Sequence, residues 1–329
     1  VRQHAVSGGQ PGRHGEFVAT SGTYLGVVQG KDTYEFDTGN LAIPAEQSLT
    51  GVATVVTDGR LSFTRFHVPA NVRVVFRGMA PLHISCMGPI DIQGELDASG
   101  QSLTTLPSNT IVAGQLGGRG GAGGGQGGQG GDKCNGLGVQ PNHFGRDGQS
   151  VQVLPGHPYS GSAQATRGRG SELFPSDGLS SSLIFGGTTV AYTPSAAAGG
   201  GGGGNFTAGL GGLVVSNNHI DPILLVAPRR DAMGPPSPAS SAYPFFPLLP
   251  FGGQNTVRSS EHFLVGGAGG GGAGSHGCLS IAITTARNWA PGGGGGGGGG
   301  AVALRTGTDL VIAANGAVLA NGGRAASQT

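Results

Sequence analysis

From Tyr24 to Gly100 the chain runs in short apolar alternations cut by turn residues. Leu61 and Phe63, then Val72, Val74 and Phe76, then Leu82, Ile84 and Cys86, then Ile90 and Ile92, then Leu96 and Ala98 each recur at every second position. That spacing places each set on one face of a strand. Turn residues fall between the sets at Asp58-Gly59, Pro69-Ala70-Asn71, Gly88-Pro89 and Ser99-Gly100, which is the signature of an all-β region. No stretch carries a convincing stripe of helical period, so almost no helix is expected.

The same cadence returns near the C-terminus. Gly94, Leu96, Ala98, Ser99 and Gly100 match Gly316, Val318, Ala320, Asn321 and Gly322 in order, with a two-residue gap needed upstream. Short strands turning at Gly and Asn, with small residues at the corners, suit the rungs of a β-solenoid. A β-sandwich built from ordinary hairpins fits the N-terminal region as well. The expected fold class is therefore all-β, a short-stranded β-solenoid or β-sandwich combined with packed polyglycine II-like segments. Three regions are expected: an extended N-terminal arm over 1–22, a β domain over 23–100 and a glycine-rich β/polyglycine domain over 101–329.

Composition sharpens this picture, because 70 of 329 residues are Gly and hydrophobic residues still make up 36%. Collagen is excluded by the lack of a strict Gly-X-Y period. Glycine concentrates in four tracts, 117–131, 199–204, 266–277 and 292–300. In the first, Arg119 and Ala122 are three apart and so are Gln126 and Gln129, with one slip between the pairs. An extended helix of three residues per turn would put each pair on one ridge and leave the other two ridges bare. A single such strand has no internal hydrogen bonds to offset an ordering cost of about 1–2 kcal/mol per residue. Several packed side by side can bond to one another, because without Cβ atoms their axes approach closely.

Charge and motifs narrow the chemistry. The net charge is +1 with 18 basic residues, too few and too scattered for a nucleic-acid partner. No apolar run approaches the ~20 residues of a membrane span. The nine histidines have no metal-ligand spacing, and no cofactor fingerprint has its required context, so no cofactor is expected. Asp91, Glu95 and Asp97 would share an outward strand face and are the candidate acids of a glycosidase, with solvated polar surface as the plainer reading. The segment containing Tyr243, Phe245, Phe246, Leu248, Leu249 and Phe251 is interrupted by prolines and is expected as an apolar strap, either a plug or a subunit contact. Cys134 and Cys278 each adjoin a glycine tract and form the candidate disulfide, with Cys86 left over.

Glycine tracts alternating with short β segments resemble the tip adhesins of certain phage tail fibres, and the strand-and-glycine cadence resembles glycine-rich β-helical surface proteins secreted by bacteria. Those resemblances imply stacked polyglycine II helices and an extracellular place. The chain, opening at Val1, is expected to be a mature secreted product. The leading functional expectation is a structural, non-enzymatic subunit of an extracellular fibre, sheath or surface layer, joined to copies of itself through arms and straps. A receptor-binding adhesin presenting the loops 132–181 and 227–262 to a glycan or receptor is the alternative, and a glycan-acting enzyme the third.

Overall fold

The computed structural model describes residues 12–103, 105, 111–133, 141–151, 170, 264, 266–274 and 291–326, together with the backbone of six short strands between 174 and 233. In chain order the N-terminal strands are β1 (Thr23–Val28), β2 (Lys31–Asp37), β3 (Leu41–Ile43), β4 (Thr54–Val56), β5 (Arg60–Phe63), β6 (Phe66–Val68), β7 (Val72–Arg77), β8 (Leu82–Cys86), β9 (Ile90–Ile92) and β10 (Glu95–Asp97). The six short strands are β11 (Phe174–Pro175), β12 (Ser181–Phe185), β13 (Thr188–Tyr192), β14 (Ser195–Ala196), β15 (Leu213–Val215) and β16 (Asp231–Met233). They pair antiparallel as β11 with β14, β12 with β13 and β15 with β16. The chain then returns in β17 (Val302–Thr306), β18 (Leu310–Ile312) and β19 (Ala317–Leu319). The fold is all-β; among the described residues the one helical turn is the 3-10 turn Pro141–His143.

Three strand triplets lie in matching order. β5, β8 and β17 form one parallel sheet, β6, β9 and β18 a second, and β7, β10 and β19 belong to a third that continues through β2 to an antiparallel edge, β1. Equivalent apolar residues are direct partners: Leu61 with Ile84 and Ile84 with Leu304, Phe66 with Ile90 and Ile90 with Leu310, Val74 with Leu96 and Leu96 with Val318. These columns build the core, in which Phe63, Phe66, Phe76, Leu82, Ile90, Ile92 and Leu96 are fully buried. Each contributes about 1.5–3 kcal/mol from removal of its side chain from water. Corners between the strands are tight. A Cβ at Gly94 would overlap the carbonyl oxygens of Val72 and Pro69, and one at Gly316 the carbonyl oxygen of Ile92, so the two glycines matched in sequence do the same work.

Two expectations about the chain's division are corrected here. Residues 1–11 of the expected arm lie outside the described residues, and residues 12–22 do not extend away. His14 N–H bonds to Ser62 O, Phe17 N–H to Arg65 O, and Thr64 N–H to Gly15 O, so this stretch runs along the end of β5 and the Thr64-Arg65 corner that leads into β6. It is held there because the Phe17 ring stacks on Phe66 at 4.3 Å between centroids and is itself buried. Nor does residue 100 separate two units, since the C-terminal strands expected in the glycine-rich region, residues 302–319, complete the three sheets that residues 31–97 begin.

Candidate functional site

The glycine segments are bonded to one another through their main chains with a spacing of three. The N–H groups of Gln115, Gly118 and Gly121 donate to the carbonyls of Gly292, Gly295 and Gly298. Those of Gly125, Gly128 and Gly131 donate to Gly267, Gly270 and Ala273, and those of Gly292, Gly295 and Gly298 donate to Gly131, Gly128 and Gly125. Gly267, Gly270 and Ala273 complete the circuit on Gly299, Gly296 and Gly293. An interval of three is the pitch of an extended threefold helix, whose amides point outward and need neighbours. A freely moving tether would not have such a repeating set of partners.

Segment 292–300 lies inside the bundle. It is contacted by 115–121, 125–131 and 267–273, by Ala98 and Gln101, and by Gly323 and Ala326. Residues 291–299 are accordingly buried throughout. Space explains the composition: a Cβ at Gly295 would overlap the Gly270 carbonyl, at Gly296 the Gly323 carbonyl, and at Gly297 the Arg119 carbonyl. Successive residues face different neighbours, so no ridge is open and all are glycine. Peripheral segments keep one open ridge. Leu116 and Arg119 lie exposed on one, whereas Ala122, expected beside Arg119, is fully buried in the core; Gln126 and Gln129, half-buried, lie on another. The slip between those pairs is a chain reversal, since Gly123 takes φ +76° and the chain folds back so that Gly127 N–H bonds to Gly118 O and Gly130 N–H to Gln115 O.

One end of this lattice gathers chain connections. Gly131 N–H bonds to Ala273 O, Gly292 N–H to Gly131 O, Asp132 N–H to Asn142 O and Lys133 N–H to Val112 O, and Gln115 Nε2 donates to Thr105 O at 2.9 Å. The connections from Leu103 to Ile111, from Lys133 to Pro141 and from Gly274 to Pro291 therefore leave and re-enter at the same end. Asp132 ties it together, accepting from Gly114 N–H at 2.9 Å and from Asn142 Nδ2 at 3.2 Å. Ile111, Val112 and Leu116 are exposed beside it.

The candidate acids occupy quite different surroundings. Glu95 pairs with Lys31 at 2.8 Å and with Arg73 at 3.6 Å, and Asp97 is buried against Arg73. Burial pushes the Asp97 carboxyl up, but hydrogen bonds from Ser99 and Arg73 outweigh it and hold the group below the usual carboxylate range. A general acid needs the opposite displacement. Asp91 accepts from Gln93 Nε2 at 2.9 Å and faces His67 at 3.1 Å. A further row, Arg77 and Arg119 on Glu35, links the β sheet to the glycine lattice. None of these cross-strand partners could be read from spacing, because they come from other turns of the chain. Tyr243, Phe245, Phe246, Leu248, Leu249 and Phe251, and the candidate pair Cys134 and Cys278, lie outside the described residues. Among the described residues no group of His, Cys, Asp and Glu is placed to hold a metal ion, and no helix is long and apolar enough to cross a membrane. Comparison with protein-family models, with characterised proteins and with solved structures finds no match.

Proposed function

We propose that the chain is a non-enzymatic, extracellular receptor-binding protein of the adhesin type. In this reading a short β-solenoid braces a bundle of polyglycine II helices, and the three connections gathered at the end of the bundle form the contact surface for a surface glycan or receptor. The observation that carries the reading is their convergence beside Val112, Asp132, Asn142 and Ala273. Connecting segments held at their ends by a rigid scaffold are where binding function concentrates. The bundle suits this role because its cohesion lies in main-chain hydrogen bonds, so the connections can differ in length and residue type without disturbing it.

A self-associating fibre subunit was the leading expectation from sequence. It relied on an extended arm and an apolar strap; residues 12–22 of that arm are instead packed on the chain's own strands, while residues 1–11 and the strap lie outside the described residues. The test replaces residues 135–140 and 276–289, separately and together, with short Gly-Ser linkers. Binding of intact and altered proteins to a panel of whole bacterial cells and to a glycan array is then measured beside thermal unfolding. Binding by the intact protein that disappears in the variants, with unfolding unchanged, supports the proposal. Binding that survives both replacements, or an intact protein that binds nothing in the panel, overturns it.

A further inference from the structure

No described residue covers the last strand triplet. β17, β18 and β19 each lie at the edge of their sheet. Leu310 and Ile312 are the direct partners of Ile90 and Ile92, which are fully buried, yet they are 47% and 48% exposed, with Val311 at 50%. Leu310 and Ile312 thus continue a core column that, among the described residues, stops without a lid. Stacked-repeat proteins ordinarily close their ends with a polar outer face, and open strand edges are templates for pairing with another chain. The opposite end shows the contrast, since residues 14–17 run along the end of β5 and the Thr64-Arg65 corner there.

We propose that this face is the contact between two copies of the chain, joined end to end about a two-fold axis, with β18 lying antiparallel against its own copy around Val311. Three features choose that occupant. The face spans residues 302–326, twenty-five in all, which matches the roughly 20–30 residues each partner contributes to a stable interface. Only Arg305, Asp309 and Arg324 in that span are charged, so two like faces meet without strong repulsion. The two ends of the strand stack differ, and a head-to-tail stack would set open β17 and β18 against an end that residues 14–17 already cover along β5 and the corner after it; like ends meet without that mismatch. A two-fold contact of this kind closes at two copies. The inference rests on the strand stack alone and not on the receptor-binding reading.

Sedimentation velocity of the full chain at tens of micromolar tests it. The expected species has twice the 32.4 kDa of one chain, and Val311→Lys should reduce it to a single chain while circular dichroism keeps its strand signal. Val311→Cys gives an independent reading, because under oxidising conditions it should yield a covalent pair linked at position 311 by peptide mapping, whereas Val52→Cys, at an exposed site elsewhere, should not. A wild-type monomer at that concentration overturns the proposal, and hydrogen exchange showing protected amides in 310–312 of such a monomer would place the chain's own residues on the face instead. A pair that survives Val311→Lys, or open polymers in place of a pair, overturns it equally. Receptor binding by the Val311→Lys monomer is scored separately, so either proposal can fail alone.

Discussion

Leu96 and Val318 are direct partners in adjacent parallel strands, although the whole glycine-rich region lies between them in the chain. Leu96 is fully buried by that neighbour on one side and by Val74 on the other. Leu96→Ala should therefore cost about 2–5 kcal/mol, the range for a buried Leu whose cavity cannot collapse. Denaturant unfolding followed by circular dichroism measures it. A loss below about 1 kcal/mol would mean that the C-terminal strands do not cover the core.

The bundle gives a sharper contrast. A Cβ at Gly127 would overlap the Gly295 carbonyl, whereas Gln126 stands on a partly open ridge. Gly127→Ala should destabilise by at least about 3 kcal/mol, because a rigid backbone atom must move and its hydrogen bonds with it. Gln126→Ala should stay within about 1 kcal/mol. Thermal unfolding of the two variants side by side decides the matter, and equal effects would count against close packing.

His14 supplies a dependence on pH. Burial, assisted by the nearby Arg13 charge, lowers its pKa to about 4 from 6.5, and its Nδ1 accepts the Ser62 N–H at 3.0 Å. The unfolded chain thus binds a proton that the folded chain refuses, so stability is full above about 6.5 and declines as pH falls toward about 4. His14→Gln keeps an acceptor and removes the titration. Its melting temperature should change less than that of the wild type between those pH values.

Arg73 and Asp97 form a pair in which the Asp97 side chain is only 2% exposed. Asp97→Asn leaves the Arg73 charge half-buried without its closest partner and should cost about 2–4 kcal/mol. Wild-type stability should also fall as pH drops below the ordinary range of an aspartate, because the depressed Asp97 pKa contributes only above it. Urea unfolding at neutral and acid pH gives both numbers, and the variant should lose part of the acid dependence.

Cys86 is buried, and desolvation raises its thiol pKa to about 12. Little thiolate exists at neutral pH, so alkylation of the native protein should leave Cys86 unmodified, and unfolding should expose it. Peptide mapping after iodoacetamide treatment distinguishes the three cysteines. Rapid native labelling at Cys86 would contradict the packing around Phe63.

Much of this was legible in the text of the chain, and for a physical reason. Alternation reports which residues face the core, so Leu61, Phe63, Val74, Ile84, Ile90 and Leu96 could all be assigned. The match of Leu96 with Val318 anticipated their pairing, and the two-residue gap is where Ala313 to Gly316 form a longer corner than Gln93-Gly94. In the glycine tract, the slip between Ala122 and Gln126 is the reversal at Gly123. What stayed hidden was of another kind. The place of His14 and Phe17 depends on a groove formed by β5 and β6, and the ladder from Lys31 through Glu95 and Arg73 to Asp97 joins side chains from different turns. Such contacts are set by stacking, which leaves no local spacing to read.

The buried strand 292–300 carries a last consequence, one of heredity. Any missense change in a glycine codon adds at least a methyl group, and at Gly292 and at Gly294 to Gly300 a Cβ would meet backbone atoms at 2.5 Å or less. Its positions admit no conservative replacement, while the connections it supports are under no such restraint. A lineage carrying this scaffold would be expected to diversify almost wholly at its tip, the rod itself staying letter for letter the same.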